Sequence, residues 1–286
     1  MTLFKQLAVF AVLCVGTLYG TASTGKGASG NRSKEKTVQA QLVLTVSEGK
    51  RLIAKAVAKM PIVREALANG MIIIAKGTTN TYVAEELLGR KIPHGAYVYG
   101  RTYPVKGGER LKETEKIAEV ILVKGEQREG LSLEQAVRKL KPGDVVIKGA
   151  NALDYRNKTA AVITGSSSAG TTGTIMPYVV ARKAYLVIPV GLEKEVAGDP
   201  VDIFNKMREP IESLNTVHPM FLLTGHIVTE LEALPILTGV SAFQSAAGGI
   251  GGAEGAVRIV CRGPRENVEK ALKLAEEIHG EPPFVD

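Results

Sequence analysis

Glycine and hydroxyl residues beside lysines form the groupings in this chain best suited to chemistry. Lys76 opens the run Gly77-Thr78-Thr79-Asn80-Thr81, and Gly165-Ser166-Ser167-Ser168-Ala169-Gly170-Thr171-Thr172-Gly173 forms a second run. Backbone N–H groups and hydroxyls at the start of a helix point toward a phosphate or carboxylate, and the helix dipole favours its negative charge. Lys76, Lys148 and Lys158 lie close enough in sequence to add positive charge. The second run imitates the spacing of a phosphate-binding P-loop but is not one, because Thr171 stands where that loop needs lysine. His218 and His226 lack metal-ligand spacing, so neither a metal nor a cofactor is expected.

Position along the chain decides whether such loops can act. Met71 to Ala75 is a short continuous apolar run, which reads as a strand buried on both faces of a parallel sheet. The first Gly/Thr loop follows it at once, and a helix over 82–88 comes next. That order places the loop at a strand's carboxyl end, where open α/β sheets bind their ligands. Upstream, Ser47 to Asn69 has apolar residues at helical spacing, and Pro61 divides it into two helices. Further strands are predicted over 117–124, 144–148, 160–164 and 184–190, with a less regular one at 96–99. Helices are predicted over 131–140, opened by Ser132 with Gln135 three residues on, and over 175–182.

The remainder of the chain reads as strand 220–224, helix 229–237, strands 241–246 and 256–262, and an amphipathic helix 266–278. That is the order of a ferredoxin-like domain. Between two of its strands lies Gly248-Gly249-Ile250-Gly251-Gly252-Ala253-Glu254-Gly255. It reads either as a flexible hairpin or as a mobile flap that offers Glu254 as an acid or base.

Residues 1–23 read as a signal peptide or a membrane anchor. Lys5 precedes the apolar stretch Leu7 to Leu18, and Gly20 to Ser23 offer small residues for cleavage. Residues 4–22 would form the anchor, giving an exported or membrane-attached protein. A cytoplasmic protein is expected instead if the true start lies near Leu42. Residues 24–40, rich in glycine, serine and lysine, read as a flexible linker. The expected organisation is then a Rossmann-like, mostly parallel α/β domain over 41–195 and a small ferredoxin-like α+β domain over 196–286. Beyond Cys14 in the leader only Cys261 remains, so the mature body has no internal disulfide.

The order of these pieces resembles the superfamily of ribose-5-phosphate isomerases, glucosamine-6-phosphate deaminases and CoA transferases, and also the sugar-effector domain of DeoR-type repressors. The stretch from Val145 to Asp154, VVIKGANALD, is similar to the strand and acidic turn of ribose-5-phosphate and methylthioribose-phosphate isomerases. The resemblance spans about residues 47–195. It implies Lys76, Gly77, Thr78, Thr79, Asn80 and Thr81 as one side of the ligand cradle. Gly149 and Asn151, and then Gly165, Ser166, Ser167, Ser168, Gly170, Thr171 and Thr172, form the others. It further implies Asp154 as the base of an aldose–ketose isomerisation, with Glu254 a second acid/base candidate. Two departures stand out: the family's first acid is Asn151 here, and its lysine before the Gly-rich loop is Thr164. An amide does not titrate, so Asn151 is no general base.

Charge excludes one class of partner. The chain carries 36 basic and 29 acidic side chains, a net of +7. Lys5, Lys26, Arg32, Lys34 and Lys36 against Glu35 place +4 of that excess in residues 1–40, and no cluster of aromatics accompanies the rest. A nucleic-acid partner is therefore not expected. The expected ligand is a small phosphorylated or otherwise anionic sugar-like molecule, bound by a homo-oligomer. Two alternatives accompany it: a sensor that has lost the acid/base pair, and a structural protein that assembles with copies of itself.

Overall fold

The computed structural model describes residues 36–108 and 114–284. The expected leader lies outside them. Among these residues the chain is mixed α/β, with one six-stranded mixed sheet and two three-stranded sheets.

Strand β1 (Thr37–Leu44) leads directly into helix α1 (Val46–Val57). Thr45 caps α1 reciprocally with Glu48: the Thr45 N–H donates to Glu48 Oε2 at 2.8 Å and the Glu48 N–H to Thr45 Oγ1 at 3.4 Å. Pro61 opens α2 (Pro61–Asn69), as its missing N–H allows. Then come β2 (Met71–Ile74), entirely buried, and α3 (Thr78–Leu88), which ends on Gly89 with φ 67°, a left-handed cap suited to glycine. The strand expected at 96–99 is instead a 3₁₀ turn, His94–Tyr97. Here a side chain replaces the ladder: the buried Tyr97 hydroxyl donates to the Ile74 carbonyl at 2.6 Å and accepts from the Val120 N–H at 2.8 Å.

Strands β3 (Val120–Val123) and β4 (Glu126–Gln127) follow, then α4 (Leu133–Val137), whose Ser132–Gln135 capping box forms as expected. β5 (Val145–Ile147) precedes a hairpin of β6 (Ala152–Asp154) and β7 (Thr159–Ile163). Helix α5 (Gly170–Ala181), β8 (Tyr185–Pro189), a 3₁₀ turn (Leu192–Lys194) and α6 (Pro200–Lys206) come next. The remaining elements are β9 (Met220–Leu223), β10 (His226–Val228), α7 (Glu230–Thr238), β11 (Ser241–Ala247), β12 (Val257–Pro264) and α8 (Arg265–Ile278).

The large sheet has the order β10-β8-β5-β2-β3-β4, with β10, β8, β5 and β2 parallel and β3 antiparallel to β2. Its centre is Ile72, Ile73, Ile74, Val145, Val146, Ile147, Val187 and Ile188, all fully buried. Helix α1 lies over β8 and β10, and α2 over β2, β3 and β5.

Two expectations are corrected here. Residues 37–40, expected in a flexible linker, belong to β1, which pairs residue for residue with β12 from Thr37↔Pro264 to Leu44↔Val257. The backbone ladder orders a segment whose side chains bury little. The region 196–286 also builds no ferredoxin-like sheet of its own. β9 pairs with β7, β10 extends the large sheet beside β8, and only β11 and β12 pair with each other, beside β1. The physical reason is that β9, β10 and β12 each find an edge in a segment distant in sequence, and β11 alone pairs only with its neighbour. Both the β1–β12 and β8–β10 pairings therefore cross residue 195.

Candidate functional site

Chain direction defines one special place on the large sheet. From β2 the chain passes to β3 on one side, whereas β5, β8 and β10 build outward on the other. The carboxyl ends of β2 and β5 are thus a topological switch point, where the two connections diverge.

Asn80, in the first turn of α3, bridges those two strand ends. Its Nδ2 donates to the Ala75 carbonyl at 2.7 Å and to the Ile147 carbonyl at 3.3 Å, joining the ends of β2 and β5. The residue is 1% exposed, and its Oδ1 is buried without a hydrogen-bond partner among the described residues. Lys148 is the first residue after β5. It is 9% exposed, and its ammonium reaches only the Gly149 carbonyl, at 3.2 Å. No carboxylate pairs with it among the described residues, and burial pushes its pKa down to about 8. An unpartnered acceptor and an unpaired cation therefore line the same two strand ends. A Cβ built on Gly149 would lie 3.7 Å from Asn80 Oδ1, whereas one on Gly77 would meet nothing within 4 Å. The Gly77 backbone therefore faces open space.

The same edge continues across β8 and β10. Lys50, in the first half of α1, is 6% exposed, and its Nζ lies 3.9 Å from Glu193 Oε1, beyond the end of β8. Glu230, the first residue of α7 after β10, is 2% exposed and accepts from the Leu192 N–H at 3.0 Å through Oε2. Burial first, then the Glu193 charge, pushes the Glu230 carboxyl up to about 8. Burial likewise lowers the Lys50 ammonium, with Glu193 opposing the shift. Gly49 makes the arrangement possible, since a Cβ there would run into Glu230 Oε1.

The residues expected to form the site separate into distinct groups. Gly77, Thr78, Asn80 and Gly149 lie at the switch point. Thr81 uses its hydroxyl on the Gly77 carbonyl at 2.9 Å, and Thr79 is buried. Lys76 turns aside, giving a hydrogen bond to the Tyr99 hydroxyl at 2.9 Å and stacking over that ring. Lys158 pairs with Glu232 at 2.8 Å and lies over the Tyr155 ring. Of the three candidate lysines, Lys148 alone has no side-chain partner.

Asn151 holds the β6–β7 hairpin, its Oδ1 accepting from the Ile163 N–H at 3.0 Å. Asp154 lies in that hairpin and accepts from the Asn157 N–H at 3.0 Å and from Asn157 Nδ2 at 2.7 Å. These two bonds hold its carboxyl below the usual range, which opposes a role as a general base. Glu254 is exposed, accepting from the Gly252 N–H within its own turn at 3.0 Å. Gly165, Ser166, Ser167, Ser168, Gly170, Thr171 and Thr172 precede and open α5. Ser166 and Ser168 bond each other at 3.2 Å, and Gly165 faces His218. No described hydrogen bond joins this loop to Lys148 or Asn80.

A second charged centre lies on α1. Arg51 bonds Glu85, Glu86 (3.0 Å) and Glu281 (2.9 Å), and the Tyr82 ring lies under its guanidinium at 4.5 Å. His94 and Phe284 stack at 4.1 Å beside it. Clefts of about 240 and 380 Å³ flank this centre. Its cation is already neutralised by three carboxylates, so it fastens the tail to α1 and α3. Lys148 has no such match, which places the candidate site at the strand ends.

Lys50, Glu193 and Glu230 went unrecognised in the sequence. Glu230 follows a three-residue strand, too short to show a period, so its place at a strand end was hidden. Among the described residues no group of histidine, cysteine and carboxylate side chains is placed to hold a metal, and no helix is long and apolar enough to cross a membrane. The chain matches no protein-family model, no curated protein and no solved structure.

Proposed function

We propose that this protein binds a phosphorylated or otherwise anionic sugar-like small molecule at the carboxyl ends of β2 and β5, with Lys148 as its counter-charge. The observation that carries this reading is Lys148 itself, a lysine 9% exposed with no carboxylate partner among the described residues. Burying an unpaired cation is costly, and an anionic ligand would offset that cost. Asn80 Oδ1 would accept from a ligand hydroxyl, and the Gly77 backbone lies open beside it. The four parallel strands with a ligand at their switch point correspond to a Rossmann-like core.

Isomerisation with Asp154 as base is not part of this reading, because both Asp154 oxygens are committed to Asn157. A thermal-shift series with inorganic phosphate, glycerol 3-phosphate and ribose 5-phosphate tests the proposal. Concentration-dependent stabilisation of the wild type that disappears in Lys148→Met supports it. Equal stabilisation of both proteins, or of neither, contradicts it.

A further inference from the structure

We propose that Lys148 Nζ is a nucleophile that forms an imine with an aldehyde or ketone group of the bound molecule. This rests on the reading of the strand-end site as a sugar-like ligand site and assigns that site a covalent step. Such a lysine must be deprotonated at working pH, screened from water and held near a carbonyl. Lys148 is screened from water, and its lowered proton affinity lets a fraction of the ammonium that holds the anion give up its proton near pH 7–8 and react as the amine. No carboxylate holds it as an ammonium, and its only partner is the Gly149 carbonyl at 3.2 Å. It is 9% exposed, and burial alone lowers its affinity for the proton. Lysines 76 and 158 lack this character, because Tyr99 and Glu232 engage them.

The surroundings also suit the reaction. Asn80 Nδ2 is committed to the Ala75 and Ile147 carbonyls, which fixes the amide and leaves the buried Oδ1 as a free acceptor along the backbone that carries Lys148. A hydroxyl next to the reacting carbonyl can donate to that oxygen, and this orients the carbonyl carbon. In the step itself, the amine lone pair forms the C–N bond and the carbonyl π pair moves to oxygen. The two amine hydrogens leave with that oxygen as one water molecule, giving the C=N bond. No oxidant or metal is needed, and hydrolysis reverses the step.

Trapping tests it on the intact chain. Wild type and Lys148→Arg are incubated with dihydroxyacetone phosphate or glycolaldehyde, reduced with borohydride and mapped by peptide mass spectrometry. The expected result is near-stoichiometric addition of one reduced probe at Lys148, at least tenfold above exposed lysines such as Lys59 and Lys139 of the same sample. The arginine variant should show only the surface background. Glycerol 3-phosphate, which has no carbonyl, is measured in parallel by thermal shift. Stabilisation by glycerol 3-phosphate without an adduct at Lys148 overturns the imine and leaves the binding reading standing. Labelling of Lys148 no greater than that of Lys59 or Lys139 also overturns it. Failure of both the adduct and the stabilisation removes the site reading as well.

Discussion

At the residue scale, the site is a set of ionisable groups that the fold keeps from their ordinary states. Burial lowers the Lys148 ammonium to about 8. An anion bound beside it needs the charged form, so affinity for glycerol 3-phosphate should be highest below that value and fall as pH rises from 7 to 10. Lys148→Met should remove both the affinity and its pH dependence, as titration calorimetry would show. The pKa of Glu230 is shifted the other way. Its carboxyl is raised to about 8, so the folded protein holds a proton that the unfolded chain releases above its ordinary range near 4.5. Stability should therefore fall as pH climbs through that window, at up to about 1.4 kcal/mol per pH unit. Glu230 faces Lys50 on α1 and Glu193 beyond β8, and both enter its titration. Glu230→Gln should flatten the slope in urea unfolding between pH 5 and 8. An unchanged slope would assign it elsewhere.

At the element scale, the sequence disclosed what local physics decides. The Pro61 division of two helices, the Ser132 capping box and the buried run at Met71 all form, because each depends on neighbours a few residues away. Lys148 was legible as a cation near a loop. Its isolation was not, since that depends on Tyr99 and Glu232 engaging the other two lysines. β1 and β10 were hidden for a different reason. β1 has only scattered buried side chains and takes its order from β12, whereas β10 has only three residues. The approach of β10 to β8 rests on Gly225, where a Cβ would sit 2.5 Å from the Leu186 carbonyl oxygen. Gly225→Ala should destabilise the protein by about 1–3 kcal/mol, read from the urea midpoint, because backbone cannot yield as a side-chain end can. An unchanged midpoint would mean that β10 gives way without cost.

At the scale of the whole molecule, pairings between distant segments hold the body together. β1 completes a sheet with β12, β10 completes the sheet begun by β2, and Arg51 ties α1 to α3 and to Glu281 near the carboxyl terminus. Arg51→Met would leave buried carboxylates without their cation, at a cost of about 3–5 kcal/mol. Global unfolding monitored by circular dichroism would register that loss, and a shift under 1 kcal/mol would reduce the clamp to a surface contact. The net charge of the whole chain bears little on this: more than half of it lies in residues 1–40, and among the three lysines only Lys148 has no side-chain partner among the described residues.

The central claim is that Lys148 is the buried cation waiting for an anion at the switch point. Calorimetric titration of glycerol 3-phosphate at pH 7 into wild type and Lys148→Met tests it most directly. Saturable binding to the wild type, weakened at least tenfold in the variant, is the predicted result. Binding of equal strength to both proteins would contradict the claim.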